Sequence, residues 1–111
     1  MPQKINAQDL LIGVKVMNED TALWEDELLV AVYVKNIGFK KVRDIRLRTT
    51  LMADDYLAEE TMIPILDTGI TKRIIFYIPF EGEVMPDEYY LRTVMSVENA
   101  KKVKYSQVLI D

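Results

Sequence analysis

The fold class this sequence predicts is all-β, a sandwich of about seven antiparallel strands in 111 residues, and three observations predict it. Apolar side chains recur at every second position in one segment after another, as where Ile45, Leu47 and Leu51 alternate with Arg46, Arg48 and Thr50. Turn formers punctuate those segments: Asn36-Ile37-Gly38, Asp67-Thr68-Gly69 and the Pro-led Pro86-Asp87. The one stretch with helical propensity, Trp24 to Val32, runs into Val30-Ala31-Val32-Tyr33-Val34, whose β-branched and aromatic residues favour a strand.

The elements follow in order. Leu10 to Met17 is the first strand, with Ile12, Val14 and Val16 on one face. Asn18 to Asp26 is a polar, acidic loop carrying the single Trp. Glu27 to Lys35 is the second strand, with Leu28, Val30, Val32 and Val34 inward; Asn36 and Gly38 end it, both tolerant of positive φ. Val42 to Met52 is the third, and its register is firm because a one-residue slip would bury two arginines. Ala53 to Glu60 reads as an acidic loop. Thr61 to Ile65 is a short strand that Pro64 assigns to an edge. Arg73 to Ile78 is the fifth strand, with Ile74, Phe76 and Ile78 on one side, and Phe80 to Pro86 is a long turn. Glu88 to Val97 is the sixth strand, and a tight hairpin at Glu98-Asn99-Ala100 leads to the last, Lys102 to Ile110. The expected core gathers Ile12, Val14, Val30, Val32, Val34, Ile45, Leu47, Leu66, Ile74, Phe76, Tyr89 and Leu91.

This number of strands at this spacing, with a tyrosine opening the sixth strand, describes an immunoglobulin-like or fibronectin III-like sandwich. The length fits one domain over 1–111, with residues 1–8 as a flexible lead-in. Half of the residues are hydrophobic and 29% are charged, a globular balance. The net charge of −4 argues against a general nucleic-acid binder. The chain has no His and no Cys. The usual neutral-pH base, the usual nucleophilic thiol and the imidazole and thiolate metal ligands are therefore all missing. The expectation is no enzyme, no cofactor and no metal. No apolar run reaches the roughly 20 residues of a membrane span, so direct membrane insertion is not expected either.

Three stretches carry a family resemblance. They are Val32-x-Val34-x-Asn36-x-Gly38, Leu66-Asp67-Thr68-Gly69, and Pro86-Asp87-Glu88-Tyr89-Tyr90-Leu91-Arg92. In this order they resemble the CARDB-type immunoglobulin-like modules of prokaryotic surface proteins. The tail from Ser96 to Tyr105 resembles the final hairpin of modules in archaeal S-layer-type proteins. The resemblance spans about Leu10 to Asp111. Asp87 stands where such modules often carry Gly, a departure at that turn. The resemblance implies a repeated structural module without catalysis. It also implies a place at the cell surface as part of a longer exported protein; with no signal peptide in this chain, the alternative is the cytoplasm.

Candidate contact residues come from charge and aromatic placement. Arg46 and Arg48 share the outward parity of the third strand, Arg92 lies on the sixth, and Lys102 and Lys104 alternate on the last. In the expected topology these strands are neighbours, so the five cations read either as a positive contact face or as an ordinary charged outer surface. Trp24 fits a core plug or an exposed contact anchor, and Tyr56 sits in the second acidic loop. Tyr89 has the placement of a tyrosine corner. Two function classes follow. One is a structural or adhesion module with a protein partner, or with weak head-to-tail self-association between the basic face and acidic loops. The other is a recognition module that grips carbohydrate or peptide through Trp24, Tyr56 and Phe80.

Overall fold

The computed structural model describes residues 9–52, 57–80, 84–98 and 100–111. The expected lead-in over 1–8, the tip of the second acidic loop with Tyr56, and part of the turn after Phe80 lie outside these residues. Seven strands form: β1 (Leu10–Val16), β2 (Glu27–Asn36), β3 (Val42–Met52), β4 (Leu57–Leu66), β5 (Thr71–Pro79), β6 (Asp87–Val97) and β7 (Ala100–Ile110), with a single helical turn, α1 (Ala22–Glu25), between β1 and β2.

The strands make two antiparallel sheets, β1-β2-β5 and β4-β3-β6-β7. The all-β, immunoglobulin-like sandwich expected from the sequence is the fold observed. Its fourth strand lies beside β3 instead of beside β5, the fibronectin III-like alternative to the constant-domain order. Leu10 pairs with Asn36 at one end, Glu27 with Pro79 and Asp87 with Ile110 at the other. The chain therefore enters at one end of a body measuring 52 × 22 × 19 Å and leaves at the opposite end. Leu10 and Asn36 mark the entry end, and Glu27, Pro79, Asp87 and Ile110 mark the exit end.

Period-two alternation builds the core. Leu28, Val30, Val32 and Val34 of β2 are fully buried, and they face Ile45, Leu47, Leu51, Leu91 and Met95 of the other sheet. Each such side chain contributes roughly 1.5–3 kcal/mol relative to exposure. Of the expected core, Ile12, Val14, Ile74 and Tyr89 are only half-buried and pack on its margin. β1 and β5 are edges of their sheet, so one flank of each lacks a neighbouring strand. Leu10, Ala22, Val42, Ile63, Ile78, Phe80, Val97, Val108 and Ile110 complete the core cluster.

β5 and β7 each begin two residues earlier than expected, at Thr71 and Ala100, and three further features depart from expectation. β4 begins at Leu57, so Ala58 to Glu60 belong to a strand and not to a loop. Ladder pairing explains this: Glu60 faces Arg48 and Glu59 faces Thr49, so the acids gain cross-strand partners. The Asn18–Asp26 loop holds α1. Asn18 organises it, its amide donating to Glu27 O at 2.8 Å while its carbonyl accepts from the Leu29 N–H at 2.8 Å. Thr21 donates to the Glu25 carboxylate, and Asp26 closes the turn at φ 62°. Finally, positive φ is not what turns the chain after β2. Among described residues positive φ occurs at Asp26, Asp44, Glu98 and Gly69. The turn instead rests on the Asn36 side chain, which accepts from Gly38 N–H at 2.9 Å. Space at Gly38 is tight, since a Cβ there would lie 3.0 Å from the Asp9 Cβ and the Asp9 side chain would have to shift.

Candidate contact face

Position β3 beside β6 and β6 beside β7, and the outward residues fall into rows. Arg46 faces Ser96, which faces Lys101. Arg48 lies between Glu60 of β4 and Val94 of β6. Arg92 lies between Thr50 and Tyr105. The inward positions of the same strands, Leu47, Thr49, Leu51, Leu91, Thr93 and Met95, are all buried. The core therefore fixes the direction of every arginine on this face.

These rows line a half-open hollow of about 840 Å³ on the face of the sheet, bordered by Arg43, Arg46, Arg48, Arg92 and Lys101, with Asp44, Glu60 and Glu98 among its walls. Five cations meet three acids there, on a chain whose net charge is −4. Among the described residues the one ion pair is Arg48 with Glu60 at 3.9 Å, both well exposed. Such a pair is worth well under about 1 kcal/mol and leaves the guanidinium accessible. The left-handed Asp44, at φ 54°, sits across from Pro64 and breaks the alternation between Val42 and Ile45. That kink brings Arg43 to the edge of the hollow.

Arg46, Arg48 and Arg92 thus share a face as expected. Lys102 and Lys104 do not join them. The hairpin pairs Val97 with Ala100, which turns Lys101, Val103 and Tyr105 outward and puts Lys102 and Lys104 on the opposite side. There their ammonium groups cross to the other sheet. Lys102 Nζ donates to Leu10 O at 3.0 Å and Lys104 Nζ to Ile12 O at 3.4 Å. They saturate carbonyls on the free edge of β1 and so tie the two sheets along one flank, a structural use of charge.

Of the loop aromatics, Trp24 is 91% exposed, on the last turn of α1 at the exit end, so it is an exposed residue and not a core plug. Phe80 is buried in the core and so cannot serve as the loop anchor expected from the sequence. Tyr89 forms the expected corner, its hydroxyl donating to Met85 O at 2.6 Å. Sequence reasoning missed Arg43 and Lys101, and it missed Tyr90 and Tyr105 flanking Arg92 on the same face. Counting back from a two-residue hairpin loop would have found Lys101 and Tyr105. Among the described residues no three acidic side chains converge as a metal would require, and no helix is long and apolar enough to cross a membrane.

Comparison with known proteins gives likeness in structure alone. No protein-family profile matches the chain, and no curated sequence does. The CARDB domain of the PF1109 protein from Pyrococcus furiosus, solved in complex with di-metal ions, is 17% identical with a TM-score of 0.64, over 92% of both chains. The putative ApaA protein from Bordetella pertussis is 16% identical with a TM-score of 0.58, over 92% of this chain and 94% of its own. A β-glucuronidase of glycoside hydrolase family 2 is 13% identical with a TM-score of 0.63, over 89% of this chain but only 11% of its own. The present chain is thus similar to one small part of that enzyme, while the CARDB domain and the ApaA protein match it over nearly their whole length. The fold is CARDB-like.

Proposed function

We propose that the chain is a non-catalytic structural or adhesion module of a larger cell-surface or assembly protein, and that it works by protein–protein contact through the outer face of β3, β6 and β7. The observation that supports this most is the hollow itself. Arg43, Arg46, Arg48, Arg92 and Lys101 converge there on an acidic chain, and the core strands hold them in place. The hollow's five cations outnumber its three acids, and a partner bearing carboxylates offsets that excess positive charge. Guanidinium groups suit the task because their donors match a carboxylate's two oxygens. The glucuronidase likeness, confined to one part of a long chain, supports a module that serves inside a larger protein.

The test is a titration of isotope-labelled protein with poly-glutamate at low salt. Saturable shifts of β3 and β6 amides, lost in Arg46→Glu/Arg92→Glu, are expected. No saturable response, or one that survives the double substitution, overturns the reading. A second reading, recognition of carbohydrate or peptide through loop aromatics, is favoured only by the exposure of Trp24. Quenching of its fluorescence by a saccharide or neutral peptide would favour that reading instead.

A further inference from the structure

Charge is sorted along the long axis. No Lys or Arg occurs between Lys15 and Lys35, between Arg48 and Lys72, between Arg73 and Arg92, or after Lys104. The first of these stretches contains the β1–β2 loop, the third contains the β5–β6 connection, and the last is the end of β7; these three parts meet at the exit end. Around α1 that end carries Glu19, Asp20, Glu25, Asp26 and Glu27, with Asp87, Glu88 and Asp111 beside them. Trp24 stands out from this acidic surround, 91% exposed. The cationic hollow lies on the side of the sheet, toward the entry end, where Arg43 and Lys101 belong.

From these two surfaces we infer that the occupant of the hollow is the exit end of a second copy of this chain, with Trp24 as the anchor. This inference rests on the reading of the face as a protein-contact surface and names its partner. The exit end carries an excess of acids and the hollow an excess of cations. An indole seated among guanidinium groups gains cation–π attraction, and an exposed tryptophan is the residue type that dominates contact energetics. The ring of acids around it meets Arg46, Arg92 and Lys101. The hollow is large enough to admit a side chain, and Trp24 already projects from its own fold, so neither copy needs to rearrange. Because one surface meets a different surface, the contact is heterologous. Until a ring closes, every added copy leaves one hollow and one tryptophan free, so the product is a ring or an open array, not a closed two-fold pair.

The test uses that asymmetry. Two variants are made, Arg46→Glu/Arg92→Glu to spoil the hollow and Asp20→Lys/Trp24→Ala to spoil the exit end. All four positions lie outside the core, and circular dichroism with thermal melting checks that each variant folds. If a double variant fails that check, Trp24→Ala or Arg92→Gln alone replaces it. In sedimentation equilibrium at low salt the parent's average mass should climb with concentration without a plateau at two chains. Association should weaken by about tenfold in 1 M salt, where the screening length falls to about 3 Å. Each variant alone should stay monomeric, and an equimolar mixture should form a complex that stops at two chains, since one intact hollow and one intact exit end remain. A mixture that stays monomeric, a parent that stops at two chains, or a parent that is monomeric at millimolar concentration and low salt overturns the inference. If the parent still binds poly-glutamate in that case, the contact-face reading stands and only the second-copy occupant falls. If poly-glutamate binding fails too, both fall.

Discussion

Asn36 and the Thr49–Thr93 pair are both fully buried polar sites in this sandwich, yet they differ in how they are satisfied. Asn36 is a junction. Its amide donates to Lys40 O at 2.8 Å and Leu66 O at 3.0 Å, and its carbonyl accepts from Gly38 N–H. Its backbone N–H donates to Ile70 O at 3.1 Å, and its backbone carbonyl accepts from Gly69 N–H at 2.7 Å. One residue thereby ties the end of β2 to the β2–β3 turn, the end of β4 and the β4–β5 turn. The two threonines, facing each other on β3 and β6, share one hydroxyl contact at 3.3 Å inside an otherwise apolar layer. The first site joins segments that the sheets leave unconnected. The second joins two strands already held by their ladder. Burial alone therefore does not measure what a polar group contributes; the number of separate segments it joins is the better guide.

Substitutions sharpen this contrast. The largest effect is expected at the junction. Asn36→Ala leaves two carbonyls and one N–H without their side-chain partner, at about 1 kcal/mol or more each, so a loss of about 3 kcal/mol is expected in denaturant unfolding. A loss under about 1 kcal/mol would show that water replaces the amide and that the junction is not structural. A middle effect is expected from Thr49→Val alone, about 1–2 kcal/mol, because it strands the Thr93 hydroxyl. The double variant Thr49→Val/Thr93→Val should be more stable than that single variant, since no orphan remains. Additive losses would break the comparison by showing that each hydroxyl has an independent partner. The smallest effect belongs to Lys102→Met, about 0.5 kcal/mol. It keeps the apolar stem and removes one hydrogen bond that water on the open edge can replace. A loss comparable to Asn36→Ala would put the Lys102 seam in the class of the junction.

Much of this could be read from the sequence, and the failures share a cause. β2 and β3 announce their inner faces because every apolar position has the same parity. β7 does not. Val103 and Tyr105 have one parity and Val108 and Ile110 the other, so alternation supports two opposite phases. Only the hairpin pairing of Val97 with Ala100 selects between them, and the selection moved Lys102 and Lys104 off the contact face. Thr49 and Thr93 were missed for a related reason: threonine is at home on either side of a strand. Arg43 was missed because the kink at Asp44 shifts the alternation by one residue. Pro64 across from it was the available sign, since proline cannot complete a ladder there. The face became a site only when register placed residues from three strands in common rows, and register is not a property of any one segment.

The placement of the two chain ends has a mechanical consequence. β1 starts at the entry end and β7 finishes at the exit end, each running along the long axis and held by an antiparallel neighbour. Tension applied between the two ends pulls β1 along its own length against β2, and β7 likewise against β6. The rungs of each ladder then carry load in parallel and must fail together, where a strand pulled from the side would open one rung at a time. The Lys102 and Lys104 bonds join β7 to β1, the two strands that tension pulls in opposite directions, and brace them against that movement. Threaded in series with others, such a domain resists extension as a stiff link, a property set by the direction of its strands relative to its ends and independent of what its surface binds.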